Sequence, residues 1–419
     1  MHYFHYKNKK LFCEDVSIEA IANKVGTPFY CYSYRTLVEH FQKLKKAFSS
    51  INPLICFSMK SNSNSAVLYS LIKKGAGLDI VSGGELYRGL RAGCNPRKMV
   101  YAGIGKTDTE LSDAIKKGIL LFNVESVQEL ERISRISERL KVNTQVSIRV
   151  NPDVESGTHE YITTAKAENK FGINLPLVEG LCLKGFLFKN VSIVGLHIHI
   201  GSQITKSEPF VKAIRKTLSF MDKMKKRGIH FKYLNLGGGL GIVYKDETPQ
   251  TAAQFSRKVI PLVRNKGYKI ILEPGRFIAG NSGIFVTRVT YVKRGLKKNF
   301  LIVDGGMNDL IRPCLYGSYH EIFPIIRHIK RKSSVFDVVG PICESGDFLA
   351  KQRRLPEFEA GEVMALLGAG AYGFTMSSNY NSRPRVVEVL VKGKKFDVVR
   401  KRETYADLVH GEKIPKFLK

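Results

Sequence analysis

The sequence predicts an α/β protein in which a (β/α)8 barrel is joined to a second, mainly β domain. Three observations carry this reading. Short apolar or β-branched runs, eight in all, recur between residues 54 and 272, separated by stretches with helical spacing. Alternating β and α implies parallel strands, and eight such units over roughly 220 residues fit a closed barrel. After Arg276 the rhythm changes to strands with no long helices between them. An open doubly wound sheet is the alternative, but no GxGxxG fingerprint follows the first strand.

Taken in order, residues 1–28 read as a short strand-bearing lead-in. Thr27-Pro28 closes it, because proline disfavours helix at the residue before it. These residues are grouped with 278–419 in the mainly β domain, and the barrel spans 29–277. Phe29-Tyr30-Cys31-Tyr32 reads as a strand, and Ser33 is placed to cap a helix over 34–48. The eight runs are 54–57, 78–81, 99–102, 120–124, 145–150, 193–200, 233–236 and 269–272. Between them lie segments such as 125–140, with Val127, Leu130, Ile133, Ile136 and Leu140 at helical spacing. In the second domain, strands are expected over 284–292, 300–304, 334–339, 362–367 and 385–391, broken by turns such as Lys293-Arg294-Gly295.

Composition excludes several function classes. The net charge is +30, but Lys and Arg are spread from Lys7 to Lys419 with no long block. There is no zinc-finger spacing and no RNP-like aromatic motif, so no nucleic-acid or membrane partner is expected. The positive field would instead help to gather an anionic small substrate. Seven cysteines make an odd count with no CxxC, which argues for reduced thiols in a cytoplasm and against a disulfide framework or a metal site. The first residues show no apolar core of a signal peptide, and the apolar stretch 363–374 is too short to span a bilayer.

Barrel chemistry sits at the C-terminal ends of the strands, and the unusual residues fall there. Lys60 follows the first strand, and Asp79 lies in the second. Arg149 and Asn151 end the fifth; His197 and His199 end the sixth. Gly237-Gly238-Gly239 follows the seventh and Glu273-Pro274-Gly275-Arg276 the eighth. Lysine is rarely buried unpaired, so Lys60 is either a surface lysine after a strand or an amine held at a pocket for covalent chemistry. The glycines form either a plain tight turn or a cradle whose amides approach a phosphate. Glu273 either pairs with Arg276 or meets a ring nitrogen, and His199 is either a satisfied core histidine or a stacking partner for an aromatic cofactor. One cofactor accounts for lysine, glycines and carboxylate together: pyridoxal phosphate has an aldehyde, a phosphate and a pyridine nitrogen.

Further stretches fit one known pattern. They are Phe57-Ser58-Met59-Lys60-Ser61-Asn62, Gly77-Leu78-Asp79-Ile80-Val81-Ser82-Gly83-Gly84-Glu85 and Arg149-Val150-Asn151-Pro152-Asp153. Thr158-His159 with Tyr161-Ile162, Glu168-Asn169-Lys170-Phe171-Gly172-Ile173 and Gly195-Leu196-His197-Ile198-His199-Ile200-Gly201-Ser202-Gln203 follow. The glycine cluster, the Glu273 turn, Cys343-Glu344-Ser345-Gly346-Asp347 and Gly370-Ala371-Tyr372-Gly373 complete the series. On these residues, in order and over nearly the whole chain, the sequence resembles the fold type III pyridoxal-phosphate decarboxylases, within them the branch acting on diaminopimelate.

The resemblance implies residue roles. Lys60 would anchor the aldehyde, His199 would stack on the ring, and Asp79 would lie in the cofactor pocket. Gly237, Gly238 and Gly239, the turn Glu273, Pro274, Gly275 and Arg276, and Tyr372 would hold the cofactor. Arg276, Arg312, Tyr316, Glu344 and Tyr372 would hold the substrate, with Arg312 pairing bidentately with its distal carboxylate and Glu344 taking the distal ammonium. Cys343 would be the proton donor; outside that motif it reads as an ordinary buried thiol. In the family Cys343 and Glu344 reach the partner's pocket, so a homodimer with shared active sites is implied. The implied reaction is decarboxylation of meso-diaminopimelate to L-lysine. Ornithine, arginine or a carboxylated polyamine are the alternative substrates, and a non-catalytic cofactor- or nucleic-acid-binding protein is the alternative class. One departure is Ala165-Lys166, where the family usually carries Gly-Leu or similar.

Overall fold

The structure, a computed structural model, describes residues 2–154, 170–328 and 330–419. The departure at Ala165-Lys166 and the motif residues Thr158, His159, Tyr161, Ile162, Glu168 and Asn169 lie outside the described residues. Contacts divide the chain into two compact units: Leu37–Ala279, and Met1–Thr36 together with Gly280–Lys419.

The first unit is a closed parallel barrel. Its strands are β1 Leu54–Ser58, β2 Gly77–Ile80, β3 Met99–Tyr101, β4 Leu121–Val124, β5 Thr144–Asn151, β6 Val191–His197, β7 Tyr233–Asn235 and β8 Lys269–Leu272. Each pairs in parallel with the next, and β8 returns to β1 through Ile271↔Leu54 and Leu272↔Ile55. All eight runs expected from the alternation are strands. They read as apolar runs because helices cover their outer faces while side chains fill the interior, so both faces are buried. The helix Val127–Leu140 shows how the cover is made. It buries Leu130, Ile133 and Ile136, and Ser126 caps it by accepting from the Glu129 amide at 3.1 Å.

The rim of this barrel carries a buried ion network. Lys106 Nζ lies 2.6 Å from Glu129 Oε1, and Arg149 Nη1 donates to Glu125 Oε1 at 2.7 Å. Glu125 also accepts the amides of Gly103 and Gly172, at 3.3 and 3.0 Å. Arg149 reaches the His199 carbonyl at 3.4 Å and lies over the Phe171 ring. Burial pushes Glu125 up, but the Arg149 guanidinium outweighs it and keeps the carboxyl below its usual range. Removing Glu125 strands a buried guanidinium, which costs several kcal/mol. Glu125→Ala should therefore lose about 3–5 kcal/mol in denaturant unfolding, and adding Arg149→Met should recover much of it. A loss below about 1 kcal/mol would place the pair with ordinary surface bridges.

The second unit is mainly β. Its longest path runs Phe348–Pro356, Ser333–Val339, Asn299–Val303, Gly283–Arg294, Phe29–Ser33, Val387–Lys392, Lys395–Arg400. The segments Ile322–Pro324 and Val363–Leu366 extend it beside Gly283–Arg294. Phe29–Ser33, placed at the start of the barrel by the sequence reading, lies here. It is antiparallel to Gly283–Arg294 and parallel to Val387–Lys392. Its five residues are buried, and Phe29 and Cys31 pack with Ile284, Val286 and Val389. The unit boundary accordingly falls at Thr36/Leu37, where the sequence reading set it at 28/29. Ser33 does cap the following helix, accepting from the Thr36 amide at 3.0 Å.

Asp309 gives this unit a pH-dependent stability. Its carboxylate accepts from the Gly306 amide at 3.0 Å and from Asn308 Nδ2 at 3.2 Å. Burial nevertheless pushes it up to about 7, against the Gly306 donation and the charges of Arg383 and Arg402. An unfolded aspartate titrates at about 3.9. Between these values the native state binds the extra proton, so this group's contribution falls as pH rises through the window. The stability of wild-type protein relative to Asp309→Asn should drop by about 1.4 kcal/mol per pH unit across that range. Urea titrations of both proteins at pH 4.5, 6 and 7.5 check this; parallel curves would refute it.

Candidate active site

At the end of β1 the chain turns through a short 3-10 segment, Met59–Ser61, which carries Lys60. The turn is tied down from both sides. Ser61 Oγ donates to the Ser58 carbonyl at 2.7 Å, and the Ser58 amide donates to the Pro274 carbonyl at 3.1 Å. Gly275 belongs there because a Cβ would press on Ser61 Oγ at 3.0 Å and Ser58 Cβ at 3.1 Å. The Lys60 turn and the Glu273-Pro274-Gly275-Arg276 turn are thus neighbours by construction.

Lys60 Nζ lies 3.7 Å from Asp79 Oδ2, and Ser58 Oγ donates to the same oxygen at 2.6 Å. Asp79 Oδ1 is buried with no hydrogen-bond partner among the described residues. Burial and the neighbouring Glu273 push Asp79 up to about 6, against Lys60 and Ser58.

Glu273 follows β8 and is buried. Asn123 Nδ2 from β4 and Asn235 Nδ2 from β7 donate to its Oε1 at 2.9 and 2.6 Å. His197 Nε2, at the end of β6, lies 3.0 Å from Oε2. Burial alone would raise this carboxyl; the hydrogen bonds from His197 and Asn235 and the Lys60 charge more than offset it and hold it below the usual carboxylate range. Glu273 is therefore an anion in the barrel interior. Arg276 donates from Nη1 to Tyr244 Oη at 2.7 Å and from Nη2 to Ser202 Oγ at 2.9 Å.

His199 lies just past β6. Its Nδ1 accepts from the Gly238 amide at 3.2 Å, so a neutral ring carries its proton on Nε2. Burial and the charges of Lys60 and Arg149 hold it well below the usual histidine range, which keeps it neutral. The glycine turn needs its glycines. A Cβ on Gly238 would run into the Glu273 carbonyl, and Gly239, at φ +106°, faces the Gly201 carbonyl. Two amides of this turn are already committed, Gly237 to Asn235 Oδ1 at 3.0 Å and Gly238 to His199. An anion at the turn would meet Gly239 first.

Lys60, Asp79, His199, the glycine turn and the Glu273–Arg276 turn thus all lie on the barrel unit. The other expected residues belong to the second unit. Arg312 and Tyr316 open and close one short helix, Arg312–Tyr316, and Arg312 Nη2 donates to Ser318 Oγ at 3.0 Å. Cys343 and Glu344 are exposed on a loop shaped by Asp347, which accepts the amides of Met307 and Ile342 at 2.7 Å each. The Cys343 amide donates to Asn381 Oδ1 at 2.7 Å. Tyr372 sits in the left-handed region at φ +58°, a strained conformation of the kind kept at functional sites.

Sequence reasoning missed Asn123, Asn235 and Ser58, and noted His197 only as a strand end. A signal was present: Asn123 and Asn235 interrupt otherwise apolar strands, Leu-Phe-Asn-Val and Tyr-Leu-Asn. A polar side chain inside a buried strand must find a partner.

These residues fit pyridoxal phosphate. A lysine amine stands at the rim, a neutral imidazole beside it, and a glycine turn too crowded for any Cβ. A buried carboxylate is held as an anion, and one oxygen of Asp79 remains unsatisfied. The comparisons agree with this chemistry. Residues 34–280 match the family model described as "Pyridoxal-dependent decarboxylase, pyridoxal binding domain". A diaminopimelate decarboxylase from Aquifex aeolicus is 47% identical over 408 residues, covering 97% of this chain and 96% of its own. The Helicobacter pylori diaminopimelate decarboxylase complexed with L-lysine superposes with TM-score 0.90 at 38% identity, covering 94% of this chain and 98% of that one. The M. jannaschii enzyme in co-complex with L-lysine superposes at 0.94 with 33% identity, covering 99% of both. Fold, site chemistry and full-length similarity converge: the chain belongs to the diaminopimelate decarboxylases, within the pyridoxal-dependent decarboxylase family.

Proposed function

We propose that this protein decarboxylates meso-diaminopimelate to L-lysine and CO2, with pyridoxal phosphate as cofactor. The observation that carries the proposal is that one barrel of this family holds both a rim lysine, Lys60, against Asp79 and a buried carboxylate, Glu273, gripped by Asn123, Asn235 and His197. When bound, the cofactor takes up the electrons left on the α-carbon as CO2 departs.

The chain's own residues have these roles. Lys60 would anchor the cofactor through its aldehyde. Asp79 lies beside the Lys60 amine and shares its proton balance. His199, neutral and fixed by Gly238, offers a flat face to the ring. Glu273 would keep a proton on the ring nitrogen by favouring its charged form. Gly237–Gly239, Pro274, Gly275, Arg276 and Tyr372 would hold the cofactor, largely through its phosphate. For the substrate, Arg276, Arg312, Tyr316, Glu344 and Tyr372 read its two charged ends. Arg312 meets the distal carboxylate that ornithine and arginine lack, and a site built for a charged group rejects a substrate without it. Cys343 returns a proton to the α-carbon. Its exposure on a loop suits delivery into the site of a second copy, as a homodimer. The reading places the protein in the cytoplasm, where its thiols stay reduced.

The test is decarboxylation by purified protein with added pyridoxal phosphate, on meso-diaminopimelate, ornithine and arginine in parallel. Lysine from diaminopimelate alone is the expected result. Turnover of ornithine or arginine alone would overturn the substrate assignment.

A further inference from the structure

Three donors from three strands converge on one carboxylate. Asn123 and Asn235 both donate to Glu273 Oε1, and His197 Nε2 lies against Oε2. All four side chains are at most 5% exposed. Strand register fixes the arrangement: His197 of β6 lies beside Asn235 of β7, while Asn123 comes from β4.

An ionised carboxylate offers about four lone-pair sites. The two Asn amides take both sites on Oε1, and His197 takes one on Oε2. The remaining site is on Oε2, the oxygen that His197 holds, so a ring N–H brought to Glu273 has one place to bind. The other nitrogen of His197 completes the picture. Its Nδ1 is buried with no hydrogen-bond partner among the described residues. With the proton on Nε2 alone, the orphan at Nδ1 is a lone pair. An imidazolium would place an orphan N–H of a charged group in the same dry position, the costlier defect. It would also neutralise Glu273 before any cofactor arrived. Lys60, Asp79, His199, Glu125 and Cys56 also face this pair.

We infer that His197 is a positioning residue that acts as a neutral donor: it orients Glu273 and leaves the carboxylate's full negative charge to the ring nitrogen of the cofactor. The inference rests on the reading of Glu273 given above. It makes His197 a selector of the cofactor's protonation state, not a counter-ion.

The experiment uses holoenzyme loaded with pyridoxal phosphate labelled with 15N in the ring, whose chemical shift separates a protonated from a bare ring nitrogen. Wild-type protein and His197→Gln, which retains a neutral donor, should both give the protonated signal. His197→Leu should shift toward the bare nitrogen and bind the cofactor about 10-fold more weakly or worse. A second measurement does not depend on that variant folding. In wild-type holoenzyme labelled with 15N-histidine, His197 should show one protonated and one bare nitrogen. A doubly protonated His197, or a His197→Leu protein that keeps the protonated cofactor signal, would overturn the inference. A bare ring nitrogen already in wild-type protein would overturn the reading of Glu273, and the inference with it. Retention of the cofactor on Lys60 after borohydride reduction would then show that the anchor still stood.

Discussion

Lys60→Ala should bind pyridoxal phosphate without attaching it to the chain and should lose roughly 10³-fold or more of the decarboxylation rate. Borohydride reduction of wild-type protein should fix the cofactor to the peptide containing Lys60, seen as a mass shift on that peptide. The variant should show no such peptide. The loss is large because two functions fall together, the covalent anchor and the positive charge. That charge helps to hold Glu273 and Asp79 down and to keep His199 neutral. Without it, Asp79 rises above its present value of about 6 and His199 becomes easier to protonate. The variant's cofactor spectrum should therefore depend on pH differently from that of the reduced wild-type protein. A mass shift on another lysine peptide in the variant would place the anchor elsewhere.

The barrel was legible because buried parallel strands write themselves as apolar runs, and all eight runs became strands. Chemistry was legible where a residue broke the pattern at a strand end, as Lys60 and Glu273 do. Less legible were elements whose stability is tertiary. The strand Phe348–Pro356 contains Lys351, Gln352, Arg353 and Arg354 in succession and shows no alternation. It forms by pairing with Ser333–Val339, and its bulge is filled when the Gln352 amide donates to Asp337 Oδ1 at 2.6 Å. Lys395–Arg400 is similar, a polar edge strand held by Val387–Lys392. The placement of Phe29–Ser33 was hidden for a different reason. Five buried residues carry no mark of which sheet receives them, and the partners lie more than 200 residues away. His197 was hidden because a histidine at a strand end has no spacing to betray its partner; only barrel closure brings Glu273 to it.

The interior of the barrel explains how one site can hold two carboxylates in different states. Asp79 and Glu273 raise one another's cost of ionisation, and burial penalises both. The donors are divided unequally. Glu273 has two amides and an imidazole, whereas Asp79 has one hydroxyl and a lysine 3.7 Å away. Glu273 consequently keeps its charge and Asp79 sits near the titration point. A pair of carboxyls driven apart in this way supplies a fixed anion and a group able to exchange a proton at neutral pH.

Cys343→Ala should retain the cofactor on Lys60 and lose about 10²–10⁴-fold in turnover, the range for a removed proton donor. The separation of binding from turnover is what distinguishes a donor from a packing residue. Exposure of Cys343 on its loop also makes a sharper experiment possible. Lys60→Ala and Cys343→Ala are each nearly inactive alone. If Cys343 serves its partner's site, a dimer formed from one of each has one site with both residues intact. Random mixing makes about half of all dimers such hybrids, so activity should return to about a quarter of the wild-type value. If Cys343 serves its own chain's site, no hybrid site is complete and mixing restores nothing. Recovery after co-refolding or subunit exchange, measured as lysine formed, thus tests the shared active site and the role of Cys343 in one assay. Failure of the mixture to gain activity, with exchange verified by mass, would place the proton donor in the same chain as Lys60.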